Sequence, residues 1–310
     1  MTGPYHSGEL ELQRRAGVLD EAQAVGRIVS RRIPAGAARL LARQRFAVAS
    51  SLEPGGRVWS SLLTGPSGFL HVVDGEMLRI AAAPAAGDPL LDNLRARPEL
   101  GLLVLDPRTR QRLRLNGRAI VMPEGLFLLV DQAYGNCPKY IQRRTLHDVV
   151  AAAGAGPPRI ADVLDPRQQE WIAAADTFFI ASFHRQGGAD ASHRGGFPGF
   201  VRVLGSRRVA FDDYPGNGMF NTLGNLLQHP AAGLLFVDFA GGDVLQLSGR
   251  ARVGPDFSVE LHIESVRETP AGSPLRWSLV EYSPANPPLS RPTTNGISIT
   301  EPVLPAGGDE

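Results

Sequence analysis

The chain has 310 residues, enough to bury one large core or two small ones. Its 32 basic and 31 acidic side chains leave a net charge of +1, and the arginine pairs are scattered, which argues against a nucleic-acid footprint. A single cysteine excludes an intrachain disulfide, a Cys-ligated iron–sulfur cluster and a four-cysteine zinc site.

The opening has no charged stretch followed by an apolar run, so no signal peptide is expected. No apolar run reaches membrane-spanning length, and a cytoplasmic protein that does not engage membranes is expected. Residues 8–30 have helical spacing and are expected to pack on the first of two barrels.

Two segments then align at an offset of 132: "LLDNLRARPELGLLVLDPRTRQRLRLNGRAIV" from Leu90, and "TLGNLLQHPAAGLLFVDFAGGDVLQLSGRARV" from Thr222. Asn93 matches Asn225, Pro98 matches Pro230, Gly101 matches Gly233 and Gly117 matches Gly249. Upstream the offset slips by one, so Ser61 matches Ser192 and Phe69 matches Phe200. An unbroken register with one slip marks an internal duplication.

Each copy reads alike. A strand (58–63; 189–194) leads to a hairpin (68–80; 199–211). A short helix ends before Pro98 or Pro230, and a buried strand and an alternating strand follow. Many short strands with glycine-rich turns and one inserted helix predict a small β-barrel, so the chain is expected to be a mainly β pseudo-dimer. The expected boundaries are 1–150 for the N-terminal helix, first barrel and a helix over "YGNCPKYIQ", and 151–170 for a linker carrying a short helix. Residues 171–282 are the second barrel and 283–310 a loosely held, proline-rich tail.

"YGNCPKYIQRR" holds the only cysteine, Cys137, and the only lysine, Lys139. With Pro138 at the first helical position, Lys139 and Gln142 would share one helix face. Lys139 there would offer a compact cation to a ligand. Cys137 has no histidine beside it in sequence and reads as a packed small side chain.

In the second copy, "ASHRGG" puts Ser192 and Arg194 on one strand face and His193 on the other. Arg194 suits bidentate contact to phosphate and Ser192 a single hydrogen bond. His193 is a candidate proton donor, with a satisfied surface histidine as the plainer reading. Arg202 alternates with its neighbours and could face the same site. In "YPGNGMFNTLGN", Gly216 and Gly218 allow a sharp turn, and a helix beginning near Met219 would aim free N–H groups at an anion. Asn217 and Asn221 add donors, and Asn217 could instead serve as a helix cap. The matching first-half loop, "AAAPAAGDPLLDN", has lost these donors, so one site per chain is expected.

The phrases "DASHRGGFPGFVRVL", "DDYPGNGMFNTLGN" and "YGNCPKYIQ", with the opening "YHSGELELQRRAG", resemble the pyridoxamine 5′-phosphate oxidase-like, FMN-binding split-barrel family. The likeness is to the branch carrying "YGNCPKYIQ" after a first barrel. The resemblance implies two tandem six-stranded split barrels with FMN held where they meet. Ser192, His193, Arg194, Arg202, Asn217, Asn221, Lys139 and Gln142 are the implied cofactor contacts. It also implies an oxidoreductase fed by NAD(P)H or a partner, with a small-molecule substrate and a possible homodimer. A non-catalytic flavin or haem binder, and a structural protein with both sites lost, are the alternatives. The Ser-Arg-Lys phosphate triplet of true pyridoxamine phosphate oxidases is missing before Pro230, which argues against that substrate. Dinucleotide-fold glycines, a phosphate-loop motif and metal-spaced histidines are also missing.

Overall fold

The computed structural model describes residues 3–150 and 156–289. Three short helices come first: α1 (Ser7–Ala16), α2 (Leu19–Gly26) and α3 (Ala37–Ala42). The first repeat follows as β1 (Phe46–Leu52), β2 (Val58–Thr64), β3 (Leu70–Val72), β4 (Met77–Ile80), α4 (Leu90–Ala96), β5 (Glu99–Asp106), β6 (Gln111–Met122) and β7 (Gly125–Gly135). Between the repeats lie β8 (Arg143–Val149), β9 (Arg159–Ala161) and α5 (Pro166–Ala174). The second repeat is β10 (Thr177–His184), β11 (Gly188–Gly195), β12 (Val201–Gly205), β13 (Arg208–Asp212), α6 (Asn221–Gln228), β14 (Ala231–Val237), β15 (Val244–Val253) and β16 (Ser258–Thr269). Last is β17 (Leu275–Glu281), which pairs with β8.

The duplication is visible in the strand order. One sheet runs β2-β1-β5-β6-β7-β4-β3, the other β11-β10-β14-β15-β16-β13-β12, with β9 added beside β16. Replacing each strand by its counterpart converts one order into the other. Each copy is an open path of seven strands rather than six, because the full hairpin β3-β4 or β12-β13 extends it. Even the irregularities repeat: the register of β6 on β7 shifts at Asn116/Gly117, and that of β15 on β16 at Ser248/Gly249. A Cβ on Gly117 or Gly249 would sit 2.0 Å from a carbonyl oxygen of the neighbouring strand, so the bulge requires glycine.

Each sheet covers its own apolar core. Leu63, Leu102 and Leu128 belong to the first, and Phe178, Phe211 and Phe236 to the second. A third cluster joins the halves, with Phe46, Val48 and Leu103 meeting Phe179, Ala191 and Leu235. Strands β1 and β10 are therefore buried on both faces, which explains their unbroken apolar runs.

Four sequence expectations need correction. First, α1 packs on the second half, not the first. Its Gly8 lies against Gly224 of α6, where a Cβ would come within 2.3 Å of the Gly224 carbonyl oxygen, and Leu12 enters the second core. The matching position on α4 is Asp92, so the first half offers no such close approach. Second, "YGNCPKYIQ" is not a helix. Residues 134–135 end β7, and an irregular turn runs to β8 with Tyr140 at φ 68°. Third, the linker carries a strand that was not expected: β9 pairs with β16, ahead of the expected short helix, α5, which a capping box of Asp165 and Gln168 starts. Fourth, the tail is held at its start, since Gln142 Oε1 accepts from the Ser283 N–H at 2.7 Å and the Asn286 amide at 3.1 Å. The tail from 290 onward lies outside the described residues, as does the linker segment 151–155.

Candidate functional site

A cavity of about 340 Å³ opens where the two halves meet. The second half contributes the end of β11 (Ser192, His193, Arg194), the loop 212–218 and the first turn of α6. The first half contributes Arg112 and Arg114 from β6, and Asn136 and Tyr140 from the turn after β7. The two walls are laced together: the Asn217 amide donates to Asn136 Oδ1 at 2.8 Å, and the Tyr140 hydroxyl donates to the Pro215 carbonyl at 2.7 Å.

Three guanidiniums converge here. Arg114 pairs with Asp190 at 3.2 Å and also donates to Ser192 Oγ and Asn221 Oδ1. Arg194 pairs with Asp213 at 2.9 Å and donates to Ser192 Oγ at 2.8 Å. Arg112 has no carboxylate partner among the described residues, and its buried Nε has no hydrogen-bond partner. Burial, then the charges of Arg114 and Arg194, push its pKa down to about 9. A guanidinium so placed favours an incoming anion.

The first turn of α6 adds to this field. Phe220 precedes it in the left-handed region, at φ 57°, and no side chain caps the helix. The leading N–H groups of α6 therefore face the cavity beside Thr222, whose buried hydroxyl has no partner. Much of the remaining lining is aromatic: Phe200, Phe220, Phe257, Tyr140 and Tyr214, with the two tyrosine rings 5.3 Å apart.

His193 is buried and edge-on to Phe179, with its Nδ1 3.5 Å from an Arg112 nitrogen. Burial and then the charges of Arg112, Arg194 and Arg144 hold its pKa well below the usual histidine value, so it is neutral. Behind the cavity, Glu9 of α1 accepts from the Asn221 amide at 2.5 Å, and burial raises its pKa to about 7.

Of the eight residues proposed from sequence, Ser192, His193, Arg194, Asn217 and Asn221 meet at this cavity, and three do not. Gln142 is a buried clasp, donating to the Asp176 and Gly196 carbonyls at 3.2 and 3.1 Å. Arg202 does not line the cavity and forms an exposed two-pronged pair with Asp212, at 2.8 and 2.9 Å. Lys139 is exposed and does not line the cavity, because the turn that replaces the expected helix carries it outward. The helix begins at Asn221 rather than Met219, and Asn217 caps the Met219 N–H, at 3.2 Å, rather than the helix. Arg112 and Arg114 were missed. Their signal was divergence between copies, since the repeat places Val244 and Gln246 opposite them.

Two repeated open antiparallel sheets, sharing a basic and aromatic cavity where they meet, define a tandem split-barrel protein. The chain belongs to the pyridoxamine 5′-phosphate oxidase family, whose model matches residues 33–152 and again 164–270. Among solved structures it is similar to a Lactobacillus delbrueckii protein assigned as a pyridoxamine 5′-phosphate oxidase. Identity is 16%, over 34% of this chain and 94% of that one, with a TM-score of 0.29. It is also similar to HupZ of Group A Streptococcus, at 12% identity over 36% and 98% of the two chains, TM-score 0.28. An F420 reductase matches at 17% identity over 33% and 98%, TM-score 0.23. No curated protein matches the chain. No helix among the described residues is long and apolar enough to cross a membrane.

Proposed function

We propose that the cavity binds FMN and that the chain is a cytoplasmic flavin-dependent oxidoreductase drawing electrons from NAD(P)H or a partner protein. The observation that carries this reading is Arg112: a cation with no carboxylate partner, beside two further arginines and an uncapped helix start. These cationic and N–H donors suit a phosphate, and the aromatic lining suits a flat ring system. The volume, about 340 Å³, lies in the range of small-molecule sites.

In this reading Arg112, Arg194 and the first turn of α6 hold the phosphate. Asn217 and Asn136, bonded to each other, keep the two walls in register. Tyr140 and Tyr214 flank the ring and keep water from it. His193, neutral and close to Arg112, can donate a hydrogen bond to a ring oxygen or nitrogen but holds no charge. Bound flavin would supply the electron-transfer chemistry.

The test is absorbance of the purified protein incubated with FMN and desalted. One flavin per chain, with NAD(P)H oxidation above that of free FMN, is the expected result. Flavin retained without such oxidation would make the chain a binder rather than an enzyme. A Soret band after haem addition, with no flavin retained, would replace the cofactor.

A further inference from the structure

The first half has its own version of this cavity, and it is already occupied by a side chain. In the loop before α4, Asp88 Oδ1 accepts from the Ser61 hydroxyl at 2.7 Å and from the Leu90 N–H at 2.9 Å. Its Oδ2 accepts from the Gln246 amide at 2.8 Å. Each of these donors has a counterpart in the main cavity. Ser61 corresponds to Ser192 through the upstream offset, and Leu90 to Thr222 through the offset of 132. Gln246 corresponds to Arg114, and both face the same rung, opposite Leu235 and Leu103. Asp88 itself corresponds to Phe220, which brings no oxygen.

We infer that Asp88 is an internal copy of the ligand's anionic end. Its carboxylate fills, in the first half, the seat that a ligand oxyanion takes in the second half among Ser192, Thr222 and Arg114. This rests on the reading of the main cavity as an anion site. It adds where the anion sits and why the chain takes one ligand. Two observations in the main cavity, independent of the repeat, agree. The Thr222 hydroxyl, in a residue only 2% exposed, has no partner, and the buried Arg112 Nε has none. The counterparts of Arg112 and Arg194 at the twin seat are Val244 and Leu63, so the three donors to the Asp88 carboxylate are neutral, and Arg267, bonded to the Gly87 carbonyl, is the guanidinium nearby. The main seat has guanidiniums and no resident acid at the Phe220 position.

The experiment transplants the carboxylate. Phe220→Asp places an acid two residues before the Thr222 N–H, the same spacing as Asp88 to Leu90. Phe220 sits in the left-handed region, which Asp and Asn tolerate better than Phe, so both variants should fold. Phe220→Asn is the uncharged control. Binding of FMN, riboflavin and inorganic phosphate is titrated for wild type and both variants, with thermal melts to confirm folding. The expected result is that Phe220→Asp weakens FMN and phosphate by more than about tenfold beyond Phe220→Asn, the scale of one charge-assisted contact. Thr222→Val should weaken FMN about tenfold and leave riboflavin unchanged. Equal losses in the Asp and Asn variants, or no loss in Thr222→Val, would overturn the inference. A wild-type chain that binds phosphate with this variant pattern but not FMN would keep the seat and reject the flavin. A chain that binds neither overturns both.

Discussion

A buried arginine without an acid is costly to the apo fold and valuable to a ligand. Arg112→Met should therefore leave stability equal or higher while weakening FMN by about 10- to 100-fold, since a hydrogen bond to a charged group contributes about 1.5–3 kcal/mol. Calorimetry and binding on the same samples would check the opposed signs. Titration at this scale also has a definite direction. His193 and His6 are lowered, His6 to about 4 by burial, so both are neutral in the fold and charge in the unfolded chain below about 6.5. Their contribution is complete above that pH and fades as pH falls. Glu9 runs the other way. Raised from 4.5 to about 7, it stabilises the fold fully below 4.5 and progressively less up to 7. Glu9→Gln should remove that decline, worth at most about 3 kcal/mol, and melting temperatures from pH 4 to 8 would show it.

At the level of strands, the halves touch where glycine permits. A Cβ on Gly101 of β5 would lie 2.6 Å from Asp190 Cα, and one on Gly233 of β14 would lie 2.7 Å from the Val58 carbonyl oxygen. Alanine at either position should cost about 1–3 kcal/mol in urea unfolding. Only Gly101→Ala should also weaken anion binding, because Asp190 holds Arg114 in the cavity wall. These paired glycines were legible as repeated letters, as were the hairpins and the helices ending at Pro98 and Pro230. The role of "YGNCPKYIQ" was half legible. The resemblance put it at the junction of the barrels, where Asn136 meets Asn217, but its conformation was not foreseen. Pro138 is as compatible with an extended turn as with a helix start, and the tertiary bonds of Tyr140 and Gln142 decide between them. Arg112 and Arg114 were hidden because an alternating Arg pattern on a strand reads as a solvated face until another sheet covers it.

Across the whole molecule, each half supplies a wall the other lacks. Fragments cut within 151–155 would expose Phe46, Val48, Phe179 and Leu235 at the lost interface. Neither should retain FMN alone, and mixing them should restore one bound flavin per pair. Gel filtration with absorbance detection would follow this. Two flavins per intact chain would contradict the asymmetry of the two cavities.

Joining both walls covalently has a consequence for how the ligand is kept. In a site shared by separate subunits, dilution below their dissociation constant separates the walls and sheds whatever lies between them. Here the second wall is always present at the effective concentration set by a short tether, on the order of millimolar or above. At a given free-ligand concentration, occupancy should therefore be independent of how much protein is present, even in a cell that makes very few copies.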